Sequence, residues 1–329
     1  MQINQVKPIG GYFGWEFPQQ VYSFPNDHGA LVNSGHGALQ LILKNLGEID
    51  KVWIPYFTCS IVEKAIQNIG IRVVKYSVNY ELEIAEDIKL GTHDYLIYTN
   101  YFGIMDSYVH LLASQYGFKL IIDNAQAFYV DSIEECHQLY SPRKFVGVGD
   151  GGIAVSSHLL STEHLPLAKS EFHSTHLLMR AEGDIATGYT FFKESEEILG
   201  DSSLQLMSLI TRRNLHSLDY EKIKQIRMSN FRYLHQNLNS SNGLQQLLDF
   251  YNLESVACPM VYPYYTEDIT LRGRLIEQNV FVAQYWPNVL KECEKDTVEY
   301  SLCKYIIPLP IDQRYNEEDM NRIVKLIKG

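Results

Sequence analysis

Between about residues 30 and 156 the chain alternates short apolar runs with amphipathic stretches, and this rhythm constrains its fold more than any other feature. The runs at 51–54 (KVWI), 71–76, 94–98 (DYLIY), 119–123 (KLIID) and 152–156 (GIAVS) have the length and the β-branched, aromatic make-up of buried strands. Between them, 38–46 and 61–69 place apolar residues three and four apart, as a helix covering a sheet face does. Strand and helix in alternation predict an α/β fold with a mainly parallel sheet between helices. Parallel strands bring their carboxyl ends to one edge, where loops build sites, so chemistry is expected there.

A polar, helical tract follows over about 158–248, and its piece 215–234 reads as one extended helix rich in i,i+4 charges. From about residue 256 a second rhythm begins: ACPMVYPYY, a helix around 269–278, the strand KYIIPLPI and a closing helix over 317–328. The expected organisation is a large domain over 1–248, with an N-terminal arm and a long connecting helix, and a smaller C-terminal α/β domain over 249–329. A chain of 329 residues that is 46% apolar can bury cores of that size. Lys plus Arg number 28 against 39 Asp plus Glu, a formal charge of -11 with no basic run, which argues against a nucleic-acid partner. Cys59, Cys136, Cys258, Cys293 and Cys303 are scattered and form no C-x-x-C pair, as expected of a reduced, cytoplasmic protein. The opening MQINQVKPIGGYF lacks a basic region followed by an apolar one, and no window reaches the roughly 18 apolar residues of a membrane span. No membrane partner is expected.

The sharpest local signal is KLIIDNAQAF followed by the lysine of SPRKFVGVGDGG. Asp123 ends a buried strand, where an unpaired carboxylate is costly. One partner for it is a pyridinium N–H: in pyridoxal-phosphate enzymes a carboxylate keeps the ring nitrogen protonated, while a lysine holds the cofactor and moves the proton. The same residues also read as a helix cap at Asp123 and a surface lysine at Lys144. Asn33-Ser34-Gly35-His36-Gly37-Ala38 lies between an apolar run and an amphipathic stretch, either as a phosphate cradle at a helix N-terminus or as an ordinary turn. Gly149-Asp150-Gly151-Gly152 lets the backbone pass close to a ligand, or again simply turn. His173 and His176 sit three apart, but no nearby acid or cysteine completes a ligand set, so no metal site is expected. Arg314 of PIDQRY reads as an ion-paired structural residue or a substrate contact.

In their order, SGHGAL, IPYFTC, YTNYFG, LIIDNAQAF, SPRKFVGVGDGG and PLPIDQRYNEEDM make the chain resemble the DegT/DnrJ/EryC1/StrS family of aminotransferases, which have the aspartate aminotransferase fold (fold type I). The resemblance runs from Ile9-Gly10-Gly11-Tyr12 to the last helix. It implies pyridoxal 5'-phosphate as cofactor, Lys144 as its Schiff-base lysine, Asp123 on the pyridine nitrogen and Gln126 beside the ring near its phenolic oxygen. Gly35, His36 and Gly37 fall at the phosphate, although His36 reads equally well as a solvent-facing residue at a helix start. Also implied are a homodimer with shared sites, an amino-acid donor (glutamate) and a keto-sugar acceptor, nucleotide-linked, as in surface-glycan or deoxyaminosugar biosynthesis. Two alternatives stand beside this: a sugar dehydratase of the same fold, whose relatives carry histidine where this chain has Lys144, and a catalytically idle cofactor-binding or regulatory protein.

Three positions depart from the family pattern. Cys59 stands where many members place an aromatic ring over the cofactor, so either Tyr56 or Phe57 covers that face or it is more open. Leu139 stands where a serine contacts phosphate, and Ser141 takes that role only with a rearranged loop. No GYN-type segment reaches for the partner subunit; LMSLITRRNLHSLD offers Ser208, Arg212, Arg213 and Asn214, of which Arg213 has the bidentate chemistry for a phosphate, or is a helix-surface arginine.

Overall fold

In the computed structural model, which describes residues 14–18, 20–250 and 256–329, the apolar runs of the first half form one seven-stranded sheet. The segment 9–12, where the motif series begins, lies outside the described residues. The strands are β1 (Ala30–Val32), β2 (Lys51–Pro55), β3 (Arg72–Tyr76), β4 (Asp94–Thr99), β5 (Leu120–Asn124), β6 (His137–Tyr140) and β7 (Gly152–Val155), in the order β1-β7-β6-β5-β4-β2-β3. Only β7 runs against its neighbours; the other six share one direction, giving the mainly parallel sheet that the sequence rhythm predicts.

β6 has no counterpart among the predicted strands, because His137-Gln138-Leu139-Tyr140 is short and half polar. All four residues are buried between β5 and β7, and the polar pair is satisfied by hydrogen bonds. His137 binds Ser156 Oγ through Nδ1 (2.8 Å) and the Phe118 carbonyl through Nε2 (3.0 Å), while Gln138 donates to the Ile133 carbonyl (2.9 Å).

α1 (Gly35–Lys44) and α2 (Ser60–Gln67) cover one face of the sheet, where their Leu39, Leu41, Ile42, Val62 and Ile66 bury against Ile54, Ile97, Ile121 and Leu139. Burial of each such side chain stabilises the fold by roughly 1.5–3 kcal/mol. α3 (Asp106–Tyr116) belongs to the opposite core, which also takes Leu120 and Ile122 of β5. Period-2 alternation therefore turns Asp123, like Ile121, toward the α1 side.

α4 (Glu171–Ala181) and α5 (Ile185–Asp201) pack on each other as a hairpin. The single helix expected over 215–234 is broken into α6 (Leu209–Leu215) and α7 (Tyr220–Leu238), because Asp219 takes extended backbone and its carboxylate caps the Lys222 N–H (3.0 Å). The rest comprises α8 (Gln245–Phe250), β8 (Val261–Tyr265), α9 (Leu271–Glu277), α10 (Val289–Glu292), α11 (Val298–Tyr305), β9 (Ile306–Pro310) and α12 (Glu317–Lys328). β8 and β9 pair antiparallel as a second, small sheet, and β9 starts later than expected because Lys304 and Tyr305 still belong to α11. α7 touches both β8 and α12, and one apolar core runs from the large sheet through Phe231 and Tyr262 to Leu309 and Met320. No described helix is long and apolar enough to cross a membrane.

Candidate active site

The carboxyl edge of the large sheet gathers most of the predicted residues. Ser34 caps α1: its Oγ accepts the Gly37 N–H (3.1 Å), and Gly37 has no side chain because a Cβ there would lie 2.9 Å from Asn33 Oδ1. The Gly37 amide is thereby committed to the cap. Gly35 and His36, the first two helical residues, keep amides with no acceptor inside the helix, and these N–H groups sit at the positive end of the dipole. A Cβ on Gly35 would lie 3.6 Å from Ser141 Cβ and 4.0 Å from Ser141 Oγ, so the turn that carries Lys144 is directly against the start of α1. On the other side β7 passes so close that a Cβ on Gly152 would lie 2.0 Å from the Ser34 carbonyl oxygen.

His36 is half-buried, and its ring engages Ser34 Oγ (3.0 Å) and the Ser202 backbone. Burial, with the charges of Arg143 and Lys64, pulls its pKa below the usual histidine value. It is therefore neither a free solvent-facing residue nor an aimed imidazole; what it offers outward is its amide.

Asp123 is 7% exposed. Its Oδ1 accepts the Ala125 N–H (2.9 Å), so the turn-capping reading of the sequence holds for one oxygen, and Oδ2 makes no hydrogen bond among the described residues. Burial raises its pKa above the ordinary carboxylate value, against the charge of Lys144 and the Ala125 N–H. Its cross-strand neighbour Thr99, on the same side of the sheet, keeps a buried hydroxyl with no hydrogen-bond partner among the described residues. Lys144 closes the one-turn 3-10 helix Pro142–Lys144, where Ser141 holds the N-cap position without a side-chain cap bond, and in the single chain the Lys144 side chain is exposed. Gln126 is 1% exposed; its Oε1 accepts the Phe102 N–H (2.7 Å), and its Nε2 makes no hydrogen bond among the described residues.

Leu139 is packed in the core beneath α1, and Ser141, two residues on, is the one beside Gly35, with no rearrangement of the loop. Cys59 stands at the N-cap position of α2, after β2, two strands from Asp123, and its side chain packs against the large core. Phe57 cannot cover a ligand there: it is 1% exposed, stacked on Tyr101 (centroids 5.4 Å) and edge-on to Trp286 (4.7 Å). Tyr56, half-buried with the Lys75 ammonium 5.8 Å from its ring, is the aromatic left at that edge.

Of the candidates on α6, Ser208 and Asn214 are already used. Ser208 Oγ donates to Asp150 (2.6 Å), a fully buried carboxylate that also takes the Ser208 N–H and the Thr211 hydroxyl, and Asn214 donates to the Gly147 carbonyl (2.9 Å). The acid of the Gly-rich segment thus anchors α6 to the loop after Lys144. Arg213 is exposed, on the same face of α6 as Leu209. His173 binds Ser195 Oγ (3.1 Å), His176 packs edge-on to Phe192, and Arg314 is paired to Asp312 (2.7 Å).

Sequence reasoning missed Arg227, a residue 2% exposed and bonded to the carbonyl of Phe145, next to Lys144. Its signal was an arginine standing on the apolar stripe of Tyr220, Ile223, Phe231, Leu234 and Leu238.

No protein-family model and no curated protein matches the sequence. Solved structures do match over nearly the whole chain. CalS13, a sugar aminotransferase from Micromonospora echinospora, is 14% identical, covering 92% of this chain and 87% of its own, with a TM-score of 0.61. A DegT DnrJ EryC1 StrS aminotransferase from Brucella abortus is 19% identical over 91% of this chain and 85% of its own, at 0.55. Spr1654 of Streptococcus pneumoniae, named as a sugar aminotransferase, matches in its PMP form at 15% identity, 91% and 86% coverage and a TM-score of 0.63. The fold is that of the DegT/DnrJ/EryC1/StrS aminotransferases. At these identities the likeness is one of fold, and chemistry has to be argued from the residues above. In this chain Asp123, Ser141, Lys144 and the start of α1 lie along one sheet edge.

Proposed function

We propose that the chain is a pyridoxal-phosphate-dependent aminotransferase that moves an amino group from an amino acid, glutamate by resemblance, to a nucleotide-linked keto-sugar. The observation that carries this reading is the union, at one sheet edge, of a buried acid with an unused oxygen, a lysine within its electrostatic reach and an uncapped pair of helix amides facing a serine. Those residues fit the cofactor. Asp123 Oδ2 is an acceptor for a protonated ring nitrogen, the Gly35 and His36 amides with Ser141 Oγ are donors for a dianionic phosphate, and Gln126 Nε2 is a donor for a phenolic oxygen. When bound, pyridoxal phosphate supplies the electron sink that amino-group transfer needs. The protein's part is to hold Asp123 ionised opposite the ring nitrogen, to fix the phosphate, and to move the substrate's α-proton on Lys144 Nζ, general base in one half-reaction and acid in the other. Retention of lysine at 144 favours transfer over dehydration.

In this reading the chain divides near residue 248, and it works as a homodimer with shared sites. Support for a second copy comes from α6, where Leu209 (52% exposed) and Ile210 (41%) lie beside Arg213, an apolar face with a cation at its end. Arg213 is the residue we assign to the neighbour's phosphate or sugar-phosphate.

Borohydride reduction of the cofactor-loaded protein followed by peptide mapping tests the assignment: the pyridoxyl group is expected on Lys144, and its appearance on another lysine or on none overturns it. Addition of glutamate is expected to bleach the visible cofactor band; a protein that loads on Lys144 but responds to no amino acid is the idle binder instead.

A further inference from the structure

Arg227 projects from the buried stripe of α7 into the space between the two sheets. Its guanidinium donates from Nη2 to the Phe145 carbonyl (3.1 Å), from Nη1 to the Met260 carbonyl (3.1 Å) and from Nε to Gln313 Oε1 (3.0 Å). Gln313 returns a bond from Nε2 to the same Phe145 carbonyl (2.9 Å), and the guanidinium carbon lies 4.8 Å from the centroid of the Phe145 ring. Among the described residues no carboxylate pairs with Arg227; Asp312, the nearest acid in its surroundings, is engaged by Arg314. A buried cation without a counter-ion is expensive, and a methionine would fill the same volume, so the value of an arginine here lies in where its fork points.

It points at two loops of the site. Phe145 follows Lys144 directly, and the Phe145 and Lys144 amides close the tight turn on Pro142 and Ser141 (2.9 and 3.3 Å). Fixing both the carbonyl and the ring of Phe145 fixes that turn. The other arm leads from Met260, whose N–H donates to the Phe102 carbonyl (2.8 Å), to Phe102, whose N–H is held by Gln126 (2.7 Å). Met260 directly precedes β8 and Gln313 stands three residues past the end of β9, so both lie on segments that flank the small sheet.

We infer that Arg227, with Gln313, is a positioning residue that clamps the Lys144 turn and the Gln126 loop to the small sheet, so that presentation of the lysine amine follows the position of that sheet. The inference rests on Lys144 being the cofactor lysine.

The test compares wild type with Arg227→Lys and with Gln313→Met, the second because Gln313 is only half-buried and its loss spares the fold. Two measurements are made on each: amide hydrogen exchange of residues 143–148 in the cofactor-free chain, and pyridoxyl labelling of Lys144 after pyridoxal phosphate and borohydride, relative to exposed Lys89 of the same chain. Loss of a charge-assisted hydrogen bond is expected to speed exchange in 143–148 about tenfold and to lower relative Lys144 labelling by a similar factor, less in Gln313→Met, with unchanged exchange in α1. Folded variants with wild-type exchange and wild-type labelling overturn the inference. If wild type itself never labels at Lys144, the cofactor reading fails, and the exchange result, which needs no cofactor, decides the clamp alone.

Discussion

Asp123 is an acid whose burial is only half compensated, and this makes its two states separable by experiment. Because its folded pKa is raised, its contribution to stability is present at low pH and is lost as pH rises from the ordinary carboxylate range through the raised value. Above that raised value the cofactor-free chain carries a buried charge that makes no ion pair among the described residues. Asp123→Asn keeps the acceptor for the Ala125 N–H and removes that charge. Urea unfolding at pH 7 should show the cofactor-free variant more stable by roughly 0.5–2 kcal/mol, with the gap closing at pH 3, while aminotransferase activity falls by about 10²-fold or more. A variant less stable than wild type at both pH values would mean that the carboxylate is already fully paired. Gly35→Ala probes the neighbouring cradle: a Cβ there makes ordinary contact with Ser141, so the melting temperature should hold, whereas the space between the two free amides and Ser141 Oγ is filled and cofactor affinity should drop about tenfold. At this scale the candidate site was legible where chemistry leaves a type and a spacing, as at Asp123 and Lys144. What was not legible was commitment: that Gly37 spends its amide on Ser34, that Ser208 serves Asp150 and that Phe57 is locked against Trp286 are facts of partners brought in from distant segments.

Elements were legible when one periodicity ran through them. α12 has the bounds expected from the sequence because an Asn316–Asp319 capping box opens an amphipathic stretch, and β2, β4 and β5 were legible because each is a run of large apolar residues. The break between α6 and α7 escaped notice because a cap at Asp219 looks, in a charge-rich tract, like one more surface acid. β6 was missed because burial of His137 and Gln138 depends on two flanking strands and two carbonyls. β6 also gives the fold an acid-sensitive seam. Burial, with the nearby His158, lowers the His137 pKa to about 4, so the folded chain binds fewer protons than the unfolded one between there and the usual histidine value. Its stabilising effect is complete above about pH 6.5 and is lost as pH falls through about 4, worth on the order of 3 kcal/mol over the window. Urea midpoints measured from pH 7 to pH 4 should fall less steeply for His137→Gln than for wild type; parallel curves would place the acid sensitivity elsewhere. At the next helix start, Asp219→Ala should cost about 1 kcal/mol by the same unfolding assay, as the loss of a single N-cap does.

On the scale of the whole molecule, the sequence rhythm specified the doubly layered sheet because each βα unit buries its own face, but it could not specify how the second copy of the proposed dimer would complete the site. In the single chain Lys144 is exposed, and so is Arg213, which stands on the α6 face with Leu209. If Arg213 acts on the neighbour, a lesion there and a lesion at Lys144 damage different sites of a two-fold dimer when they lie on the same chain, but can share one site when they lie on different chains. Chains bearing Lys144→Ala and chains bearing Arg213→Ala should each be weakly active or inactive alone. After unfolding and refolding together at equal amounts, half of the dimers are mixed, and each mixed dimer holds one site with both lesions and one with neither, so activity should return to about a quarter of wild type. Were Arg213 to serve its own chain's site, every site in the mixture would carry one lesion and nothing would return. An Arg213→Ala chain as active as wild type would instead make Arg213 a surface residue and leave the cross-subunit role to Arg212, whose buried Nε has no hydrogen-bond partner among the described residues.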